Sequence, residues 1–417
     1  MPRIPHSLLL RAYNISPLLP LVLRATRTLP SAIRELRWLD EHVKQEDKSF
    51  KENTIRQRQK LIQLCKRRER GEPLQYILGS QPFGELSIKC RPGVLIPRWV
   101  NTYDFMSREH LLMCKANRPE TEAYTTHLAD LLIERRLHRD LDPRNFGFHY
   151  VGGERELNRP LKILDLCSGT GCISLLLYSL LQKSFPNIRI SGYDISEKAR
   201  QLSVENLRDA VKTHFHNSPT IEFRKINIFC KNLKDLWMVP RSKSVDIIIS
   251  NPPYISREEF YKSTARSVRN FEPELALVPI FRGPRHDLAF FRRLLALHRY
   301  FNSRVLIMET SGKRQCLEVA REARTMSGEH NRIEIWRDWP GQEPLPEEVE
   351  SLSEEHPRDR FPVRGSGSYR SVVLIRREEA ERLSLHKYSQ LQKKKLKAER
   401  DEKKRMQRSF NRKWEKR

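Results

Sequence analysis

The 417-residue chain has no paired cysteines and no long apolar runs, and it has no acidic side chains before residue 35. Its seven cysteines show no C-x-x-C pair and no paired spacing, which argues against a zinc site and against a disulfide framework. This cysteine usage favours a reducing, intracellular compartment. No apolar run approaches the roughly 18 residues that a membrane-spanning helix needs. We therefore expect no metal site and no stable membrane insertion.

The acid-poor N-terminus is rich in arginine. Glu35 is the first acidic residue, and Leu, Ser and Thr accompany the arginines that precede it: Arg3, Arg11, Arg24, Arg27 and Arg34. Mitochondrial presequences have this composition. We predict a presequence over residues 1–28 and a location in the mitochondrial matrix. An ordinary basic first helix is the alternative interpretation.

The chain carries a formal net charge of +26, with 31% charged and only 38% hydrophobic residues. This composition indicates a globular centre with polar tails or insertions. The excess charge is typical of contact with RNA or the ribosome, of binding to an anionic membrane surface, or of an import signal. Residues 378–417 are mostly Lys, Arg and Glu. We interpret them as a basic tail, either an RNA or ribosome contact or a solvated segment.

Periodic apolar residues predict a small helical domain over residues 29–80, with substrate recognition as its expected role. The segment AIRELRWLDEHV has apolar residues at three- and four-residue steps, namely Ile33, Leu36, Leu39 and Val43. A second such segment, TIRQRQKLIQLCKRRERG, stops at Gly71. Two short apolar runs among Pro and Gly residues then predict a hairpin linker over residues 81–98.

Short β-rich runs dominate the chain after residue 160. They are LKILDL, IRISGYDI, IEFRKINIF, VDIIISN, RVLIMET, RIEIWRDW and RSVVLIRR. Their alternation with helical stretches predicts a doubly wound α/β fold with a seven-stranded sheet, in a domain over residues 119–377. The last two runs are expected to pair as an antiparallel hairpin. Ligands bind such sheets at the carboxyl ends of the strands.

Two strand ends carry acidic residues that suit one ligand. In ILDLCSGTGCISLLL, Asp165 precedes a turn in which Gly169 and Gly171 allow close backbone approach. The turn is neither G-x-G-x-x-G nor a Walker motif, and an acid there disfavours phosphate. Asp194 ends the next strand and can hold both hydroxyls of a ribose. Together they favour S-adenosylmethionine, with Asp165 and the turn on its amino-acid part and adenine near Asn227 and Ile228.

The segment DIIISNPPYIS ends a strand in an amide, two prolines and an aromatic residue. Prolines cannot donate ladder hydrogen bonds, so they end the strand and stiffen the loop. The Asn251 side chain and the Pro252 carbonyl can accept hydrogen bonds from a planar –NH₂ group, and Tyr254 can stack on its π-system. The lone pair of such a nitrogen is delocalised, so the nitrogen is a poor nucleophile. Hydrogen bonds to both N–H bonds can direct this lone pair toward the sulfonium methyl group of S-adenosylmethionine, so orientation and electrostatics can supply much of the catalysis of methyl transfer.

These motifs resemble the class I S-adenosylmethionine-dependent methyltransferases that carry an NPPY motif. More narrowly, the chain resembles the HemK/PrmC family of release factor glutamine N5-methyltransferases. RRERGEPLQYILGSQPF and GVLIPR resemble the family's linker, and PETEAYT resembles its continuation. FEPELAL and DLAFFRRLL resemble the segment after NPPY. The similarity covers roughly residues 18–377.

The resemblance implies a Rossmann-like fold and methylation of the GGQ-loop glutamine of the mitochondrial peptide-chain release factor. With the analysis of the strand ends, it gives these cofactor contacts: Asp165, Cys167, Ser168, Gly169, Thr170, Gly171, Asp194, Asn227, Ile228 and Asn251. The catalytic residues would be Asn251, Pro252, Pro253 and Tyr254. The chain departs from the family pattern at Cys167, often Gly, at Asn227, usually Asp, and at Ile228, where an aromatic residue can stack.

Residues 99–118 interrupt the resemblance, because LIPR and PETEAYTTHLADLL would be continuous without them. The codons for this segment can begin with a sequence like a splice donor site. They can end with sequences like a branch point and a splice acceptor site. We hypothesise a retained intron, with a genuine surface insertion as the alternative.

Two other functions remain open on the sequence. NPPY chemistry also serves rRNA or tRNA N-methyltransferases, and the net charge of +26 favours that class. A non-catalytic ribosome-binding protein with a relict fold is the second alternative, which the intact motif from Asn251 to Tyr254 disfavours.

Overall fold

The computed structural model describes residues 4–46, 54–97, 120–142, 148–151, 154–157, 159–216, 218–230, 245–280, 286–348 and 360–377. The predicted insertion, 99–118, and the basic tail, 378–417, lie outside these ranges. Within the described ranges, no helix has both the length and the apolar character needed to cross a membrane.

The described helices and strands alternate as expected after residue 160. The helices are α1 His6–Ile15, α2 Leu19–Thr26, α3 Leu29–Glu46, α4 Thr54–Glu69, α5 Leu74–Leu78, α6 Glu120–Ile133, α7 Cys172–Leu181, α8 Glu197–Thr213, α9 Arg257–Lys262, α10 Arg266–Phe271, α11 Ala289–Tyr300 and α12 Lys313–Ser327. The strands are β1 Ser80–Phe83, β2 Leu86–Lys89, β3 Phe148–Val151, β4 Glu154–Leu157, β5 Leu161–Leu166, β6 Ile188–Asp194, β7 Thr220–Lys225, β8 Ile247–Ser250, β9 Val305–Glu309, β10 Asn331–Trp339, β11 Val363–Arg364 and β12 Ser366–Arg376.

Helices α1 to α5 form the N-terminal helical domain. Helix α3 confirms the predicted amphipathic helix, and Leu39 and Val43 lie in the domain core. Ile33 was wrongly placed on that face and is 42% exposed. The buried stripe runs instead through Ala32, and Ile33 is rotated by about 100° from its neighbour in a helix.

The core of the helical domain includes residues from the predicted presequence. Leu19, Val22 and Leu23 of α2 are fully buried, and Ala12 of α1 is buried beside them. Helix α2 packs against both α3 and α4. Residues 6–26 therefore belong structurally to the helical domain.

A hairpin joins the helical domain to the α/β domain. Strands β1 and β2 pair in antiparallel orientation, within the region where a hairpin was expected. The backbone N–H of Lys89 donates to Oδ1 of Asn206 at 2.8 Å, which attaches the hairpin to α8. The chain that follows, Gly93 to Leu95, reaches the carboxyl edge of the large sheet, where it lines a cavity.

The large sheet has the order β11-β10-β12-β9-β8-β5-β6-β7. Strands β5 to β9 are parallel, and β12 is antiparallel to both β9 and β10. The predicted antiparallel pairing of the last two runs is confirmed. The sheet has eight strands rather than the predicted seven, because the two-residue β11 pairs with β10. A strand of two residues is too short to produce a periodic pattern.

Both faces of the sheet are covered by helices. Ile163, Ile247 and Ile307 pack with α6 and α7 on one face. Leu164, Ile248 and Leu306 pack with α11 and α12 on the other. The central strands are therefore apolar on both faces, as parallel strands usually are. This layering brings the carboxyl ends of β5, β6, β8 and β9 to one edge.

Candidate cofactor and substrate site

A cavity lies at the carboxyl edge of β5, β6, β7 and β8. Several predicted site residues line it: Cys167, Gly169, Asp194, Asn227, Ile228, Asn251 and Pro253. The other predicted residues are not among its lining, namely Asp165, Ser168, Thr170, Gly171, Pro252 and Tyr254. Each residue of the second set lies within two positions of a residue of the first.

The turn after β5 has the left-handed backbone that close approach to a ligand requires. Gly169 has φ +54°, and a Cβ built on it would meet no atom within 4 Å. Gly171 has φ +79°, and a Cβ there would lie 2.7 Å from the Phe223 ring. Cys167 also has positive φ, at +63°. The family's glycine at that position would adopt this conformation without the strain a Cβ causes.

Asp165 is fully buried at the end of β5. Its Oδ2 accepts a hydrogen bond from the Ser174 hydroxyl at 2.7 Å. Its Oδ1 is buried and has no hydrogen-bond partner among the described residues. Burial raises the pKa of this carboxyl to about 7. An unpartnered buried acceptor of this kind fits a cationic ligand group, such as the amino group of S-adenosylmethionine.

Asp194, at the end of β6, lines the cavity and is held by backbone hydrogen bonds. Its Oδ2 accepts from the Gly169 N–H at 2.9 Å, and its Oδ1 accepts from the Ser196 N–H at 2.8 Å. Ser196, rather than Asp194, caps α8, through a bond from the Ala199 N–H. Each carboxylate oxygen retains a further lone pair. Burial raises the pKa of Asp194, and the backbone hydrogen bonds oppose that rise.

The far end of the cavity is aromatic. Asn227 uses its Oδ1 to accept from the Phe229 N–H at 2.9 Å, and Ile228 is buried beside it. Phe229 and Phe290 also line the cavity, with ring centroids 4.9 Å apart in an edge-to-face arrangement. Neither phenylalanine was predicted as a site residue. They supply the aromatic surface that the aliphatic Ile228 lacks.

The loop from Asn251 to Tyr254 begins where β8 ends, at Ser250, as the two prolines predicted. Oγ of Ser250 donates to the Leu166 carbonyl at 2.7 Å, which ties this strand end to β5. Asn251 and Pro253 border the cavity. The Tyr254 hydroxyl donates to Oε1 of Glu309 at 3.0 Å. Asn251 is therefore next to the cofactor cavity, and Tyr254 anchors the loop to the neighbouring strand β9.

Comparisons with known proteins show which families the chain resembles. The PrmC N-terminal domain family matches residues 22–79, and the methyltransferase small domain family matches residues 155–270. The probable MRF1 mitochondrial N(5)-glutamine methyltransferase mtq1 of Schizosaccharomyces pombe is 33% identical, over 66% of this chain and 73% of that protein. The mitochondrial MRF1 N(5)-glutamine methyltransferase MTQ1 of Saccharomyces cerevisiae is 34% identical, over 67% and 68%. The release factor glutamine methyltransferase of Thermodesulfovibrio yellowstonii is 31% identical, over 74% and 89%.

Proposed function

Because the chain belongs to the release factor glutamine methyltransferase family, we propose that it methylates the GGQ-loop glutamine of the mitochondrial peptide-chain release factor. The product carries the methyl group on the side-chain amide nitrogen, N5. One structural observation carries the proposal: Asn251, at the end of β8, borders the same cavity as Gly169 and Asp194. A cofactor site and an amide-binding loop are thus adjacent.

S-adenosylmethionine supplies, when bound, a methyl group on a positively charged sulfur. Asp165, whose Oδ1 has no hydrogen-bond partner among the described residues, would hold the amino group of its amino-acid part, and the turn from Cys167 to Gly171 would contribute backbone contacts to that part. Asp194 accepts hydrogen bonds from the ribose hydroxyls. Asn227 and Ile228 bind the adenine, with Phe229 and Phe290 as the adjoining apolar wall.

The loop from Asn251 to Tyr254 holds the substrate amide. The Asn251 side chain and the Pro252 carbonyl accept hydrogen bonds from the two amide N–H bonds and so fix the nitrogen's orientation. The amide lone pair is delocalised, so catalysis depends on this fixed geometry and on excluding water. Tyr254 and Pro253 shape the pocket around the amide. Methyl transfer breaks the bond between the methyl group and sulfur and leaves a surplus proton on the nitrogen. Because a protonated amide is a strong acid, this proton is lost to solvent without a strongly basic side chain.

The helical domain is proposed to recognise the release factor, and the mitochondrial matrix is the proposed location. The acid-poor N-terminus and the two mitochondrial relatives support that location. Cleavage of a presequence within residues 1–28 is proposed to occur before α2, because Leu19, Val22 and Leu23 are part of the domain core. The tail 378–417 is proposed to contact RNA or the ribosome, since it is rich in Lys and Arg.

A methyl-transfer assay tests the proposal. Purified protein is incubated with labelled S-adenosylmethionine and the mitochondrial release factor, and in parallel with a release factor whose GGQ glutamine is alanine. Total RNA serves as a third substrate. Label on the unaltered factor alone is the expected result. Label on RNA alone contradicts the proposal and favours an rRNA or tRNA N-methyltransferase, which the net charge of +26 would also suit.

A further inference from the structure

Glu309, the last residue of β9, is a buried carboxylate that collects three hydroxyl groups. Its Oε2 accepts from the Thr121 hydroxyl at 2.7 Å and from the Tyr124 hydroxyl at 3.0 Å. Its Oε1 accepts from the Tyr254 hydroxyl at 3.0 Å. The residue is only 3% exposed. Glu309 thus connects α6 to the loop that borders the cofactor cavity.

A largely buried arginine, Arg370 of β12, lies among three acidic residues near this position. Nε of Arg370 is 2.8 Å from Oδ1 of Asp338, and its Nη2 is 3.5 Å from Oε1 of Glu120. Burial alone would lower the pKa of Arg370, but Asp338, Glu309 and Glu120 outweigh it and raise that pKa. Arg370 is therefore a largely buried cation in the electrostatic environment of Glu309.

Tyr254 is anchored at its backbone as well as at its hydroxyl. The Gln315 side-chain amide donates to the Tyr254 carbonyl at 3.0 Å. Oε1 of Gln315 in turn accepts from the Ser311 N–H at 2.9 Å, which fixes the orientation of that amide. Glu309 and Gln315 stand on a strand end and on the first turn of α12. Rigid elements therefore hold Tyr254 from two directions.

We propose that Glu309 is a positioning residue for methyl transfer, which acts through Tyr254 on the placement of Asn251. The inference rests on the proposed function. Pro252 and Pro253 separate the two loop residues, and their rings fix two φ angles. A displacement at Tyr254 is therefore transmitted to Asn251 instead of being absorbed between them. A shift of about 1 Å at a positioned group costs about 100-fold in rate.

Glu309→Gln tests the proposal with little change in shape. The carboxamide has one acceptor oxygen, so it cannot serve Tyr254 on one side and both Thr121 and Tyr124 on the other. We expect kcat for release factor methylation to fall about 10- to 100-fold, with an unchanged Kd for S-adenosylmethionine. Tyr254→Phe removes the same hydrogen bond from its other end and should lower kcat similarly. The double variant should be no slower than the slower single variant.

A matched variant separates positioning from loss of stability. Phe185→Leu removes volume from the core next to the start of β6 at Ile188, the amino edge of the sheet, and should lower the melting temperature while leaving kcat unchanged. A folded Glu309→Gln protein with wild-type kcat overturns the inference alone. A double variant whose loss in kcat is the product of the two single losses also overturns it. If Glu309→Gln does not fold, a wild-type kcat in Tyr254→Phe overturns it instead. Wild-type protein without methyl transfer to the release factor overturns the proposed function and the inference together.

Discussion

The backbone N–H of Gly169 donates a hydrogen bond to Oδ2 of Asp194 at 2.9 Å, which joins the turn after β5 to the end of β6. The two residues are 25 positions apart, yet parallel pairing of β5 and β6 brings them together at one edge. A Cβ built on Gly169 would meet no atom within 4 Å. The pairing of β5 with β6 therefore holds together the wall of the cofactor cavity that contains Gly169 and Asp194.

The affinity for S-adenosylmethionine should rise with pH near neutrality. Burial raises the pKa of Asp165 to about 7 from the ordinary 3.8, and the ionised carboxylate attracts the cofactor's ammonium group more strongly. Titration calorimetry at several pH values measures this. The Asp165→Asn variant provides the background slope, and equal slopes for both proteins would contradict the assignment of Asp165.

The same pKa shift has a consequence for folding. The unfolded chain releases the Asp165 proton near the ordinary 3.8, whereas the folded protein keeps it up to about pH 7. The contribution of this group to stability is therefore largest at low pH, falls as pH rises between these values, and is constant above them. Urea unfolding of the wild type and of Asp165→Asn at pH 5 and pH 8 should show a difference in this direction.

Gly169→Ala should weaken cofactor binding specifically. The added methyl group would enter open space at the cavity, and the left-handed φ costs about 1 kcal/mol of stability. Gly79 is a matched control, because it has φ +79°, open space where an alanine methyl would point, and a position at the end of α5. Both variants should lose similar stability, and only Gly169→Ala should bind S-adenosylmethionine about tenfold more weakly. Equal affinities would contradict the assignment.

Asn251→Ala should lower kcat about 100-fold or more, because the substrate amide loses a hydrogen-bond partner that fixes its orientation. Binding of S-adenosylmethionine should remain mostly intact. Asp194→Ala is the complementary variant, which should mainly weaken cofactor binding. Single-turnover kinetics and calorimetry distinguish the two effects, and unchanged turnover in Asn251→Ala refutes the proposed mechanism.

Removing residues 1–28 should destabilise the helical domain. The deletion removes Leu19, Val22 and Leu23 from its core, and each buried aliphatic side chain contributes about 2 kcal/mol. A chain starting at Ile4 is the control and should melt like the full chain. N-terminal sequencing of the protein from mitochondria should find α2 retained. A mature protein that starts at Leu29 with unaltered stability would contradict this.

Much of the fold could be predicted because its signals are local. The apolar run before Pro252 and Pro253 predicted the end of β8, and parallel strands predicted that Asp194 and Asn251 would meet at one edge. The two-residue β11 had no such signal. Ile33 was misplaced because apolar spacing alone does not show which of two adjacent apolar residues faces the core.

The missing parts of the site depend on contacts between distant segments. Glu309 ends the apolar run VLIME, and its partners Thr121 and Tyr124 are 188 and 185 positions away. No local pattern marks such a residue. Phe290 belongs to a helix whose apolar residues serve mainly the core, so its position at the cavity depends on how α11 packs against the sheet.

The most direct test of the central claim is to locate the methyl group. The mitochondrial release factor is incubated with the full chain and S-adenosylmethionine, then digested and examined by tandem mass spectrometry. The account predicts one added methyl group, on the amide nitrogen of the GGQ glutamine, which is absent when Asn251→Ala protein is used. A methyl group on another residue would contradict it. So would an unmodified release factor when the enzyme binds S-adenosylmethionine.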